Sequence, residues 1–482
     1  MDGVERPLSR LALPVIPERV KPIIDECRPV AERFAADGHR LYLVGGIVRD
    51  LLLDRDLDRP DLDLTTDATP EETKRIVAPV ATAVWEQGAR FGTIGAEVDG
   101  RPWEITTHRA EAYDPGSRKP DVVFGTDVEA DLARRDFTVN AMALTLPDPV
   151  LVDPFDGVGD LLVRRRLRTP LSPEESFGDD PLRMLRAARF VAGYGLEPDL
   201  DLVRAATAMA DRLDVVSAER IRDELHKLLL VDDPSVGLWF LHDTGLFERF
   251  LPEIPAMRLE QDPIHRHKDV LTHTIAVVAN VRARKPSGEP NDLTRLAALL
   301  HDIAKPRTRS YGPKGVMFHH HEVVGARMAR SRLQALREPT EVVDDVSRLV
   351  ELHLRFHGYG EGDGGWTDSA VRRFARDAGH LLDELIELTR CDCTTRNERK
   401  ARMLQRRMDA LEARIAALRE AEELEALRPD LDGNRVMELL GIGPGREVGE
   451  VLRFLLDLRL DEGPLGEQEA ERRLLEWWAG RS

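Results

Sequence analysis

Leu41 to Thr65 reads LYLVGGIVRDLLLDRDLDRPDLDLT, two short apolar runs separated by a glycine pair and a row of charges. The run from Leu41 to Val44 has the length and composition of a buried strand, and Gly45-Gly46 lets the backbone turn tightly out of it. A helix from Ile47 to about Leu53 follows, with Arg49 and Asp50 in its early turns. The chain then returns as a second strand, Asp61-Leu62-Asp63-Leu64, whose alternation puts both carboxylates on one face and both leucines on the other. Two acids aimed the same way repel each other unless a cation lies between them. A hard divalent ion such as Mg²⁺ supplies that charge and usually keeps a nucleotide's phosphates as further ligands. The amides after Gly46 are close enough to hold the same phosphates.

At 482 residues the chain is too long for one core, and roughly two to four domains are expected. A formal charge of −18 is unfavourable for a general nucleic-acid binder. Basic residues cluster, however, at Arg164-Arg165-Arg166 with Arg168, at Arg183, Arg186 and Arg189, and between Arg396 and Arg407. Any RNA surface is therefore a local stripe. Three cysteines, two of them in Cys391-Asp392-Cys393, build no disulfide framework and point to a reducing compartment, with buried thiols rather than a zinc site. The N-terminus has no apolar signal core, and no stretch reaches the roughly 18 apolar residues of a membrane span. The expectation is a soluble cytoplasmic protein with no membrane partner.

A Pro-containing arm (1–24) leads into a helix at about 21–37. Thr69-Pro70-Glu71-Glu72 opens another helix, with a cap, a proline at the first position and acids in the first turn. Thr93 to Val98 and Trp103 to Thr107 read as an antiparallel pair across Asp99-Gly100. Glu104 on the second strand reads either as an exposed glutamate or as a third carboxylate reaching the Asp61/Asp63 site. Residues 111–130, rich in Gly, Pro and charge, read as a mobile loop. RRDFTVNAMA (134–143) reads as a helix with one apolar face. At Asp179-Asp180-Pro181-Leu182-Arg183 a helix starts, with an aspartate cap and proline in its first turn.

The order of strand, Gly-Gly, helix with Arg-Asp and strand with D-x-D resembles the nucleotidyltransferase head of the polymerase-β-like superfamily. More closely it resembles the class II tRNA nucleotidyltransferases and bacterial poly(A) polymerases, in the actinobacterial form that carries a C-terminal HD domain. RRDFTxNAxA is similar to the second signature of that family. Asp153-Pro154-Phe155-Asp156-Gly157 with Asp160 is similar to the third, DDPLR with Arg186 and Arg189 to the fourth, and Ser217 to Leu225 to the fifth. The resemblance implies that Asp61 and Asp63 hold catalytic Mg²⁺ and that Gly45, Gly46 and Arg49 bind nucleotide. It further implies that Arg135 contacts the triphosphate, Asp136 addresses the ribose, Asn140 supports the site, and the 111–130 loop closes over the nucleotide. Asp180 and Arg183 would choose the base, with Arg186 and Arg189 assisting. Base chemistry agrees with that choice. Cytosine and adenine both present an amino donor beside a ring-nitrogen acceptor, which an Asp–Arg pair satisfies. Guanine and uracil would set a carbonyl against the carboxylate.

Residues 260–395 are rich in histidine. His273 lies in HKDVLTHT, His301-Asp302 ends an apolar helix (LAALLHDIAK), and His319-His320-His321-Glu322 comes next, followed by His353 and Asp392. The order H…HD…H…H…D resembles the HD metal-dependent phosphohydrolases, an all-helical fold. Imidazole and carboxylate ligands together suit a transition metal such as Mn, Ni or Fe better than Mg²⁺ alone. Among the three adjacent histidines His321 is favoured, because it directly precedes Glu322 on a helix-like run. Leu404, Met408, Leu411, Ile415 and Leu418 then mark an amphipathic helix packed against the body or in a hairpin. Gly441-Ile442-Gly443-Pro444-Gly445 opens a last helix by turn chemistry, with a perch for the tRNA backbone as the alternative.

The expected fold is α+β: a small N-terminal head with a mixed or antiparallel sheet (25–170), then an elongated all-α neck (171–255), HD domain (256–395) and helical tail (396–482). The function the resemblance implies is CCA addition to the tRNA 3′ end from CTP and ATP. The runners-up are a poly(A) polymerase, an enzyme adding only A or only CC, an HD phosphohydrolase with a nucleotide-sensing head, and an RNA-binding scaffold.

Overall fold

Strand β1 (Leu41–Val44) is buried at every position and lies near the middle of a seven-stranded sheet. The structure is a computed structural model that describes residues 20–55, 62–88, 92–112, 121–259, 269–312, 315–358, 366–393, 398–421 and 428–481. Asp61, most of the N-terminal arm and the centre of the 111–130 segment lie outside the described residues. Helix α1 (Lys21–Ala36) precedes β1, and α2 (Gly46–Leu52) leaves it through Gly45, whose φ of 76° favours glycine. Then come β2 (Leu62–Thr66), α3 (Pro70–Val77), β3 (Ala83–Gly88), β4 (Thr93–Val98) and β5 (Arg101–Thr107). Beyond them lie β6 (Arg109–Ala112), β7 (Asp121–Phe124), α4 (Val128–Ala133), β8 (Ala143–Leu146), β9 (Leu151–Val152), α5 (Pro173–Asp179) and α6 (Arg183–Tyr194).

The strand order is β3-β4-β5-β2-β1-β8-β9. Only β2 and β5 pair in parallel; every other pair in this sheet is antiparallel. Leu62, Leu64, Ile94, Ala96, Trp103 and Ile105 are buried, and α1 and α3 pack against the sheet. Burying these side chains contributes roughly 1.5–3 kcal/mol each for the larger ones. Thr69 caps α3 in a reciprocal capping box with Glu72, as the Thr-Pro-Glu-Glu signal predicts. Asp99 and Gly100 both take positive φ at the β4–β5 turn, the hairpin geometry expected there.

Four local expectations are corrected. RRDFTVNAMA is not a helix: α4 ends at Ala133, Phe137 is extended (φ −136°, ψ 152°), Thr138–Asn140 make one 3₁₀ turn, and β8 starts at Ala143. The Asp136 carboxylate accepts both the Phe137 N–H and the Asn140 side-chain amide, so side-chain bonds replace the helical ladder. Residues 111–130 are not loop throughout, because β6, β7 and α4 occupy both ends of the segment. The helical region also contains a two-stranded hairpin (Arg309–Gly312 with Gly315–Phe318), and the helix after Gly445 (Arg446–Glu462) is followed by one more, Glu467–Ala479.

Contacts divide the chain into two units, Met1–Val216 with Asp243–Arg249, and Ser217–His242 with Phe250–Ser482. Helices α5 and α6 belong to the first unit. There Phe137 meets Phe190 with ring centroids 5.1 Å apart, and Gly157 packs so closely on the Thr138 carbonyl that a methyl group would overlap it. The second unit is built from helices. Its long helix Glu398–Ala421 buries Leu404, Met408, Leu411, Ile415 and Leu418 against the helices Asp368–Ala378 and Leu382–Asp392, the face its periodicity predicts. Among the described residues no helix is long and apolar enough to cross a membrane.

In the second unit His226 is clamped between two carboxylates, with Nδ1 2.9 Å from Asp292 and Nε2 2.7 Å from Glu338. Burial opposes its charge, but the two acids outweigh burial and raise its pKa from 6.5 to about 9. The folded state therefore binds the proton more tightly than the unfolded state. That stabilisation is fully present below pH 6.5 and is lost as pH rises through about 9, on the order of 3 kcal/mol in all. Thermal melts from pH 6 to 10 should show this decline in the wild type and a flatter profile in His226→Ala.

Candidate functional site

In the parallel pairing of β2 with β5, Asp63 lies directly beside Glu104, and both side chains are exposed on the same face. Sequence alternation alone leaves Glu104 either solvated or functional; the register puts it next to Asp63. Gly45 flanks this pair from the β1 side. A β-carbon there would lie 3.1 Å from Arg135 Nη1 and 3.7 Å from Asp63 Oδ2, so a bare backbone, a guanidinium and a carboxylate share one small volume. Arg135 also faces the buried Asp131 at 3.5 Å, and Asp131 holds Arg134 at 2.7 Å. Burial works against ionisation of Asp131, but these two arginines keep its pKa below the ordinary range.

A second group of predicted residues forms one buried network. Arg49 Nη1 donates to Asn140 Oδ1 (2.5 Å), Asn140 Nδ2 donates to Asp136 Oδ1 (2.9 Å), and Arg186 donates to Asp136 Oδ2 through Nε (2.9 Å) and Nη2 (2.5 Å). Burial opposes the Asp136 charge, yet Arg186 and Asn140 hold its pKa below the usual carboxylate value. The network thus ties three separated motifs together through charged hydrogen bonds, each worth about 1.5–3 kcal/mol. Sequence reasoning missed its aromatic wall. The Arg49 guanidinium lies 4.3 Å from the Tyr194 ring and 5.2 Å from Phe190. Neither ring stands among the charged residues that mark the motif in the sequence.

Arg183, Arg186 and Arg189 recur every third residue on α6, and all three are half-buried. Asp180 Oδ1 accepts from the Leu182 N–H at 3.2 Å, a turn-closing bond. Arg183 donates to Ser176 Oγ (2.9 Å) and to the Arg134 carbonyl (2.6 Å). The two proposed base-choosing residues are thus neighbours at the start of α6, and each already holds a protein partner. Of the basic cluster at 164–168, Arg164 and Arg168 both pair with the buried Asp160.

The histidines of the second unit converge. His273 Nε2 lies 2.8 Å from Asp392 and 3.7 Å from Asp302, and His301 Nε2 lies 3.2 Å from Asp302 and 3.6 Å from Asp392. His321 and His353 approach the other Asp302 oxygen at 3.4 and 3.9 Å, with their own Nε2 atoms 3.3 Å apart. His301, His321 and His353 each place Nδ1 2.7 Å from the carbonyl three residues earlier (Ala298, Phe318, Val350). That bond holds the proton on Nδ1 and leaves Nε2 as the donor atom for a cation. His301 Nε2 and Asp302 Oδ1 are buried without a hydrogen bond. The donor set fits a divalent metal. His321 is the buried member of its run, while His319 and His320 are exposed. Sequence reasoning missed Lys305, whose ammonium lies 2.5 Å from Asp302; it stands one helical turn after the His-Asp pair.

Comparison with known proteins places this geometry. Residues 41–168 match the Poly A polymerase head domain, 195–257 the probable RNA and SrmB-binding site of polymerase A, and 270–419 the HD domain. An A-adding tRNA nucleotidyltransferase from Deinococcus radiodurans is 35% identical over 91% of this chain and 95% of its own. The chain belongs to the tRNA nucleotidyltransferase family. A CC-adding tRNA nucleotidyltransferase from Thermus thermophilus is 34% identical over 91% of this chain and 94% of its own. The crystal structure of the Bacillus stearothermophilus CCA-adding enzyme in complex with CTP superposes with a TM-score of 0.69 at 25% identity. It covers 95% of this chain and 98% of that one. A sheet-bearing N-terminal head followed by helical regions and an HD domain is therefore the fold, as expected, and the chain is an enzyme of divalent-metal chemistry.

Replacing His301 and Asp302 together with Ala removes donor atoms that face every other member of the cluster. Elemental analysis of purified protein should find a bound divalent metal in the wild type and less of it in this variant, at equal helical content. Equal metal in both proteins would make the cluster structural only.

Proposed function

We propose that this chain is a CCA-adding tRNA nucleotidyltransferase, extending the tRNA 3′ end with CMP and AMP from CTP and ATP without a nucleic-acid template. The supporting observation is the register of Asp63 beside Glu104, flanked by Gly45 and Arg135. Asp61, Asp63 and Glu104 would hold Mg²⁺, which when bound would supply activation of the terminal 3′-hydroxyl and charge neutralisation on the departing pyrophosphate. Arg135 and the bare backbone of Gly45 and Gly46 hold the triphosphate. Asp136, oriented by Arg186 and Asn140, addresses the ribose, and Arg49 stiffens that network from behind. Asp180 accepts from the amino group of cytosine or adenine and Arg183 donates to the ring nitrogen, each exchanging its present protein partner for the base. Arg189 assists from the same face of α6. In the second unit, His273, His301, Asp302, His321, His353 and Asp392 hold a transition metal such as Mn, Ni or Fe, which suits an additional phosphohydrolase activity.

A second reading, addition of A alone or of CC alone, is favoured by one observation: two relatives that match along nearly their whole length carry those names. Purified protein given tRNA lacking CCA, tRNA ending in C and tRNA ending in CC, with each NTP singly, separates the three. CMP addition to the first two and AMP addition to the third establishes CCA addition. AMP addition to the third alone means an A-adding enzyme, CMP addition alone a CC-adding one, and repeated AMP addition to any end a poly(A) polymerase.

In the same assay Asp61→Ala and Asp63→Ala should abolish addition while tRNA binding survives; more than about a tenth of the wild-type rate would remove them from catalysis. Asp180→Ala should lose rate with CTP and ATP and gain relative misincorporation of UTP or GTP. Arg183→Ala should lose roughly 10- to 150-fold if its bond is fully expressed in the transition state. If Asp180 only closes the turn at Leu182, the variant should melt earlier, by about 1 kcal/mol, and keep its base preference.

A further inference from the structure

Across the head's sheet, one row of cross-strand partners runs Trp85, Gly95, Glu104, Asp63. Directly paired residues project from the same face of a sheet, so Trp85 stands on the face that carries the two carboxylates. Its indole lies over Gly95, where even a methyl group would overlap the ring. Gly95 has no positive φ, so the backbone imposes no glycine at this point; the ring lying over it does. Trp85 is nevertheless 37% exposed. A flat aromatic surface is thus laid beside Glu104 and held there by the absence of a side chain.

The position of this ring relative to the triphosphate is what gives it a role, and here the inference rests on the nucleotidyltransferase reading. Gly45 and Arg135 approach Asp63 from the β1 side, whereas Trp85 lies on the opposite side, beyond Glu104 along the order β3-β4-β5-β2-β1. In an in-line displacement the 3′-oxygen bonds the α-phosphorus as the bond to the bridging oxygen breaks and pyrophosphate leaves on the far side. With pyrophosphate leaving toward Arg135, the attacking 3′-hydroxyl must arrive from the β5–β4 side. The terminal nucleotide of the RNA then lies over the strands that carry Trp85. We propose that Trp85 stacks on the base of the RNA's 3′-terminal nucleotide and so holds its 3′-hydroxyl against Glu104. Every base has a π face, so such a platform serves a terminus whose identity changes after each addition.

The test is a cycle between the ring and the base. CMP addition is measured on tRNA lacking CCA whose last nucleotide is either normal or abasic, with wild type, Trp85→Ala, Trp85→Phe and Gly95→Ala, each checked by thermal melting. Wild type should lose roughly 5- to 100-fold in kcat/KM for the RNA when the base is removed, the range that stacking supports. Trp85→Ala should lose a similar factor on the normal RNA and nothing further on the abasic one. Trp85→Phe should keep most of the discrimination, and Gly95→Ala, which displaces the ring without removing it, should follow Trp85→Ala. Losses that simply multiply, or a Trp85→Ala enzyme with wild-type kcat/KM, would overturn the stacking. A wild type that extends both RNAs equally overturns the stacking alone. One that extends neither overturns the function reading itself.

Discussion

Carboxylates on neighbouring strands repel each other, and a fold that sets Asp63 directly beside Glu104 carries an electrostatic cost which a divalent cation relieves. The parallel pairing of β2 with β5 imposes that neighbourhood, in a sheet whose other pairs are antiparallel. A one-residue slip of either strand would turn its acid into the face now filled by Leu62, Leu64, Trp103 and Ile105. The apolar alternation that buries those residues therefore also sets the face proposed here as catalytic, so stability and the proposed chemistry share one register.

Around this face, charge is balanced by pairing rather than by exposure. Asp136 is buried, yet its two oxygens receive Arg186, Asn140 and the Phe137 amide. Asp131 and Asp160 likewise each hold two arginines. Removing one member of such a network leaves its partner charged and desolvated, which costs more than the bond itself. The arginines that the family motifs supply are thus pre-positioned by acids, as the proposed triphosphate site requires. The HD cluster uses the same economy with different chemistry. Backbone carbonyls fix the Nδ1 protons of three histidines, so their Nε2 atoms face Asp302 together. Burial and the neighbouring His301 push the His353 pKa down, while Asp302 and Asp392 overcome burial to raise that of His301.

What the sequence determined by itself was the inventory and the local geometry. The Gly-Gly turn, the alternation of Leu62-Asp63-Leu64, the Thr69 capping box and the Asp99-Gly100 hairpin all follow from neighbours within a few residues, and all are present in the structure. The histidines and aspartates of the HD cluster were legible as an order of residue types. Tertiary structure decided what depends on distant partners. It set Glu104 beside Asp63, chose His321 over His319 and His320 by burying it, and supplied Lys305 and Tyr194 as neighbours of the two sites. It also overrode the helical pattern of RRDFTVNAMA, because Asp136 finds Arg186 and Asn140 and draws the backbone into an extended turn. The physical reason is range. Capping, turn and periodicity signals act over one or two turns of chain, whereas strand register and buried charge pairs are settled only when segments far apart in sequence compete for the same hydrogen bonds.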